Sequence, residues 1–169
     1  GSYIQFNKDN FDLNAYINEP SECRWSTQDK DYASMENNMR CSEEPAMINA
    51  EMEFVCSANL TGIRNREENK FYIRCMDQPE LKGTDKENDR NPNRQSIPYV
   101  AYGSRPLDII DIKPNGTILG STDVVSVDVT AETSNGAQGN GNATCFISPD
   151  GTRDSYVMMF QTNSYRHNQ

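Results

Sequence analysis

An alternating strand, a turn and then a cysteine occur twice in this chain of 169 residues, and that repetition constrains the fold more than any other feature. In the first block Phe11, Leu13, Ala15 and Ile17 point one way and Asp12, Asn14 and Tyr16 the other, the period of a half-buried β-strand. Asn18-Glu19-Pro20-Ser21 interrupts it, because proline fixes φ and cannot donate to a ladder. Cys23-Arg24-Trp25-Ser26 follows, with Cys23 and Trp25 on one face. In the second block Val125, Val127, Val129 and Ala131 alternate with Ser126, Asp128, Thr130 and Glu132. A polar, glycine-bearing loop leads to Thr144-Cys145-Phe146-Ile147-Ser148. A serine stands three residues after each cysteine, and Tyr32 with Met35 matches Tyr156 with Met159. Fixed-offset similarity of this kind, here 122 residues from Cys23 to Cys145, marks a tandem array.

The first block continues where the second does not. Ile4 and Phe6 suggest a short opening strand; Glu53 to Cys56, Phe71 to Cys75 and Ile97 to Tyr102 read as later ones. Between Met76 and Arg94 lies a charged loop too polar to bury. Gly103-Ser104-Arg105-Pro106 is the natural boundary, and Leu107 to Ile112 opens a second unit that turns at Pro114-Asn115-Gly116. The expected fold is all-β, with immunoglobulin-like antiparallel sandwiches in tandem: a domain over 1–104 and a partial second one over 105–169. A mean hydropathy of -0.83 with 35% hydrophobic residues fits thin two-layer domains rather than a deep core.

Five cysteines without a CxxC pair, and one histidine, disfavour zinc and favour a disulfide framework in an oxidising compartment. The second block keeps a counterpart of Cys23 alone, so the economical pairing is Cys23–Cys75 across the core and Cys41–Cys56 as a second staple, with Cys145 unpaired. The inward row Val125, Val127, Val129 and Ala131 then needs a cover, either later strands of a longer chain or a strand from another copy.

No constellation for catalysis emerges, and no cofactor or metal is implied. His167 is solitary and reads as a surface residue. Asp29 and Asp31, and Asp85, Glu87 and Asp89, are interleaved with lysine and lack a calcium loop's glycine turn. Asn59, Asn115 and Asn142 begin glycosylation sequons, about as many as chance supplies in so polar a chain. The net charge of -9 argues against nucleic acid, and no apolar run approaches a membrane span.

Cys23-Arg24-Trp25-Ser26 with Tyr32 and Met35, the stretch Phe71 to Pro79, and Pro114-Asn115-Gly116-Thr117 resemble repeats of large, mostly uncharacterised surface proteins of small-genome archaea and candidate bacterial lineages. The resemblance implies an immunoglobulin- or fibronectin-like architecture at the cell surface and no catalytic chemistry. The expected function is a non-catalytic structural or adhesive module of an extracellular stalk or filament. Its partners would be neighbouring repeats, other copies of itself, or a cell-surface protein or glycan. The alternative is a carbohydrate- or protein-binding module attached to a secreted enzyme.

Overall fold

In the computed structural model, which describes residues 1–42, 48–117, 120 and 124–169, the chain is all-β and divides into two compact units. Gly1–Ser2 and Lys8–Tyr102 form the first, Tyr3–Asn7 and Gly103–Gln169 the second. The boundary thus falls two residues earlier than the sequence suggests, and residues 3–7 join the second unit. There Ser104 N–H donates to Ile4 O at 3.0 Å.

Alternation in the first block becomes alternation of burial. After β1 (Ser2–Ile4), most of which belongs to the second unit, the strands are β2 (Asn10–Ile17), β3 (Ser21–Ser26), β4 (Asn37–Asn38), β5 (Arg40–Cys41), β6 (Phe54–Thr61), β7 (Glu68–Asp77) and β8 (Ile97–Gly103). In β2 Leu13 is buried, while Asp12, Asn14 and Tyr16 are exposed. Within the first unit one sheet has the order β8-β7-β3-β4 and the other β2-β6-β5. Their inner faces supply the core: Cys23, Trp25, Phe71 and Ile73 from the first sheet, Leu13, Cys56 and Leu60 from the second, all under 9% exposed. Burying each large side chain of this set contributes about 1.5–3 kcal/mol. Trp25 meets Phe71 edge to face at 5.7 Å, the arrangement their ring quadrupoles favour.

β7 begins before and ends beyond the Phe71 to Cys75 stretch, and Asn69 organises its approach. The Asn69 side chain is buried, accepts Arg64 N–H at 2.9 Å and donates to Arg64 O at 3.0 Å, closing the turn between β6 and β7. After β7, the charged loop is exposed from Lys82 to Asp89, and Arg90 is buried. This guanidinium is 2% exposed, donating to Glu22 Oε2 at 2.6 Å and Asp77 O at 3.0 Å. Lys82 pairs with the same carboxylate. Burial raises the Glu22 pKa, but Lys82 and Arg90 outweigh it and hold the group below the usual 4.5.

The second unit contains β9 (Leu107–Lys113), β10 (Thr130–Asn135), β11 (Phe146–Ile147), β12 (Val157–Met158) and β13 (Arg166–Asn168). One sheet runs β13-β10-β9 and a second pairs β11 with β12, all antiparallel. The valine row differs from expectation. The strand starts at Thr130, and the buried residues on its inner face are Ala131 and Thr133. Val129 is half-buried, whereas Val127 and Val125 are 37% and 45% exposed. The alternating pattern thus begins before the paired strand does, and Val125 and Val127 precede its first residue, Thr130. Gly141 shows how tightly the covered part is packed: a Cβ there would lie 2.3 Å from Thr133 O.

Candidate functional site

All five cysteines lie on or beside strands. Cys23 stands directly opposite Cys75 in the β3–β7 pair, and Cys41 opposite Cys56 in the β5–β6 pair. The structure joins both pairs as disulfides, with Cα separations of 4.0 and 3.9 Å, and leaves Cys145 as a free thiol. The bridges close 52 and 15 residues, worth about 4 and about 3 kcal/mol in the chain-entropy account. Cys56 Sγ lies 3.4 Å from Cys23 Sγ, so the bridges touch where the two sheets meet. Such bridges point to an oxidising environment. Among the described residues no helix is long and apolar enough to cross a membrane.

The two hairpins after the repeated cysteines are built alike. In the first unit Arg24 pairs with Asn38 and Trp25 with Asn37; in the second Phe146 pairs with Met158 and Ile147 with Val157. Cys23 O accepts Met39 N–H at 2.8 Å, and Cys145 O accepts Met159 N–H at 3.0 Å. Both methionines are buried. Ser26 Oγ accepts Gln28 N–H, and Ser148 Oγ accepts Asp150 N–H and Gly151 N–H. A single 3₁₀ turn separates the paired strands each time, at Tyr32–Ser34 and Arg153–Ser155. These contacts align Met159 with Met39 instead of Met35, four residues from the match suggested by tyrosine–methionine spacing.

The surroundings of the hairpins differ. β3 lies between β4 and β7, whereas β12 is the only described strand beside β11. Apolar groups on the second unit stay wet: Phe146 is 55% exposed, Val157 56%, Met158 57% and Phe160 87%. Across the other sheet Ile112 stands opposite Ala131 and Ile109 opposite Thr133, sharing the inner face of those buried residues. Both isoleucines are nonetheless more than half exposed. A bulge between Glu132 and Thr133 leaves Ile110 as the extra residue of β9, also exposed.

His167 is 2% exposed, not at the surface as its place near the last residue suggests. Its Nε2 lies 2.9 Å from Thr133 Oγ1 and its Nδ1 3.0 Å from Thr162 Oγ1. Thr133 donates its own proton to Gly141 O at 2.6 Å, so it accepts from Nε2–H. Thr162 Oγ1 also accepts Cys145 N–H at 2.8 Å. The histidine therefore ties β10 and β13 to the start of β11, and neither ring nitrogen is left for a substrate or metal. The threonines are the only sequence signal of this role, and they stand 29 residues apart.

The remaining candidates are dispersed. Asp29 and Asp31 lie 3.6 and 3.9 Å from Arg74 nitrogens, and Ser96 donates to Asp29. Glu87 accepts Gly83 N–H, while Asp85, Glu87 and Asp89 are exposed. Among the described residues Cys23, Cys41 and Cys56 form the one set of three donors within 4.8 Å, and disulfides occupy them. Asn59, Asn115 and Asn142 are exposed, and Asn59 donates to Asp12 Oδ1 at 2.7 Å. No protein-family model, curated protein or solved structure matches the chain.

Proposed function

We infer that this chain is a non-catalytic structural module of an extracellular surface assembly: two immunoglobulin-like units in tandem, the second an acceptor for an added β-strand. One observation carries the reading. The edge of β11 opposite β12 carries no described strand and adjoins exposed apolar groups, and its counterpart on β3 is filled by β7. Edges of this kind template pairing, and soluble proteins normally cover or charge them. The test is hydrogen exchange on the whole chain with a peptide of the β7 sequence, Glu68 to Asp77, carrying serine for cysteine. Exchange at 144–148 slows on adding it and is unchanged by a scrambled peptide. Equal effects of the two peptides would remove the acceptor role.

A second reading has support on the outer face of the first unit. Asp12, Asn14, Asn38, Arg40, Ser57 and Asn59 line a shallow groove there, and Tyr16, 54% exposed, continues the β2 row. Amide and carboxylate groups beside an exposed ring suit a glycan's hydroxyls and apolar face. Glycan-array binding that is lost in Tyr16→Ala would establish it.

A further inference from the structure

In the first unit Cys23 O is turned toward β4, where it accepts Met39 N–H. The backbone groups of Cys23 therefore point away from β7, and Cys23–Cys75 is a non-hydrogen-bonded pair, the kind that brings facing side chains closest. The second unit repeats that geometry. Cys145 O accepts Met159 N–H, and Cys145 N–H also meets a hydroxyl from the chain following β12. A strand added at the free edge of β11 would set its residue opposite Cys145 in the same close pair, within disulfide reach.

Resting on the acceptor reading above, we propose that this edge takes an antiparallel strand from outside these 169 residues, bearing a cysteine opposite Cys145 and a large apolar residue two positions earlier, and that the two cysteines become bonded. The register follows the internal copy, where Ile73 faces Trp25 when Cys75 faces Cys23; Ile147 takes the place of Trp25. The partner cysteine is external because the other four cysteines of the chain are bonded to each other. The β11 strand of a second copy fits less well. It would bring Ala143 opposite Ile147, a small residue already bridged to Ser164, and leave the apolar groups wet.

Two thiols require an oxidant, and a low-molecular-weight disulfide balances the step. The Cys145 thiolate attacks one of its sulfurs and expels a thiolate. The strand's thiolate then attacks Cys145 Sγ and expels the second half. One protein disulfide forms, the reagent is reduced to two thiols, and the cysteine protons pass to them. Burial pushes the Cys145 thiol above its usual range, which slows reaction with cysteines not held against it.

The whole chain in a glutathione redox buffer is mixed with the Glu68 to Asp77 peptide, its cysteine retained, or with a scrambled peptide of the same composition. Non-reducing mass mapping follows the adduct. The ordered peptide bonds to Cys145 at least about 10-fold faster than the scrambled one, as alignment in a bound strand requires. Equal rates overturn the proposal, as does a Cys145–Cys145 dimer that forms faster than either adduct. If the serine peptide slows exchange at 144–148 but the cysteine peptide shows no rate advantage, the covalent lock fails and the acceptor reading survives. If neither occurs, both fall.

Discussion

The hairpin after Cys23 and the hairpin after Cys145 share strand register, a buried methionine and a serine-capped turn, yet one is enclosed and the other is not. The difference lies in the late strand. In the first unit β7 pairs with β3, buries Phe71 and Ile73, and is fastened by Cys23–Cys75. In the second unit the corresponding edge has no described strand, and the polar cluster of buried His167 and Thr133 with half-buried Thr162 holds the two small sheets together. A shared hairpin is therefore not enough to enclose a unit.

The disulfide gives the largest effect with which to break this comparison. Trp25, the single tryptophan, lies in the first unit, so its fluorescence during urea unfolding reports that unit alone. Replacing Cys23 and Cys75 together by alanine should lower its stability by about 4 kcal/mol. A loss under about 1 kcal/mol would mean that β7 stays in place without its fastener. Leu60→Ala should cost about 3 kcal/mol, because Leu60 is fully buried. Its counterpart in the second unit, Phe160→Ala at 87% exposure, should change stability by less than about 0.5 kcal/mol when unfolding is followed by far-UV circular dichroism. Similar losses from both would show Phe160 to be covered.

Acid should act on the first unit next. Glu22 is held below its ordinary pKa of 4.5 by Lys82 and Arg90, so the folded state binds its proton less readily than the unfolded chain does. Its contribution is present above 4.5 and fades as pH falls through the lower folded value. The urea midpoint by Trp25 fluorescence should drop on going from pH 6 to pH 3, and less so in Glu22→Gln. The smallest effect concerns Cys145. With burial raising its pKa, alkylation should remain slow at pH 8 and accelerate beyond pH 9. A rate already at plateau at pH 8 would contradict that placement.

The first unit is legible in its sequence because its strands alternate over enough residues to register. Phe11 to Ile17 and Phe71 to Cys75 each lie within a long paired strand, and comparison of the two repeats decides the cysteine pairings. Alternation names a strand's inner face without telling where pairing begins. That is why Val125 and Val127 carry the inward pattern yet stand exposed, ahead of the paired strand. The two-residue strands β11 and β12 are too short for periodicity and are held by hydroxyls at Ser148 and Thr162. His167 and Arg90 escape a reading by polarity, which suggests exposure, whereas each is buried against a partner from a distant position, Thr133 and Glu22.

Hydrogen exchange of the free chain measures the contrast most directly, since amides in an enclosed sheet open only with the unit as a whole. Amides of β6 and β7 should exchange at least about 1,000-fold more slowly than those of β11 and β12. Equal protection of the two hairpins would contradict the account, because it would require the edge of β11 to be as well covered as that of β3.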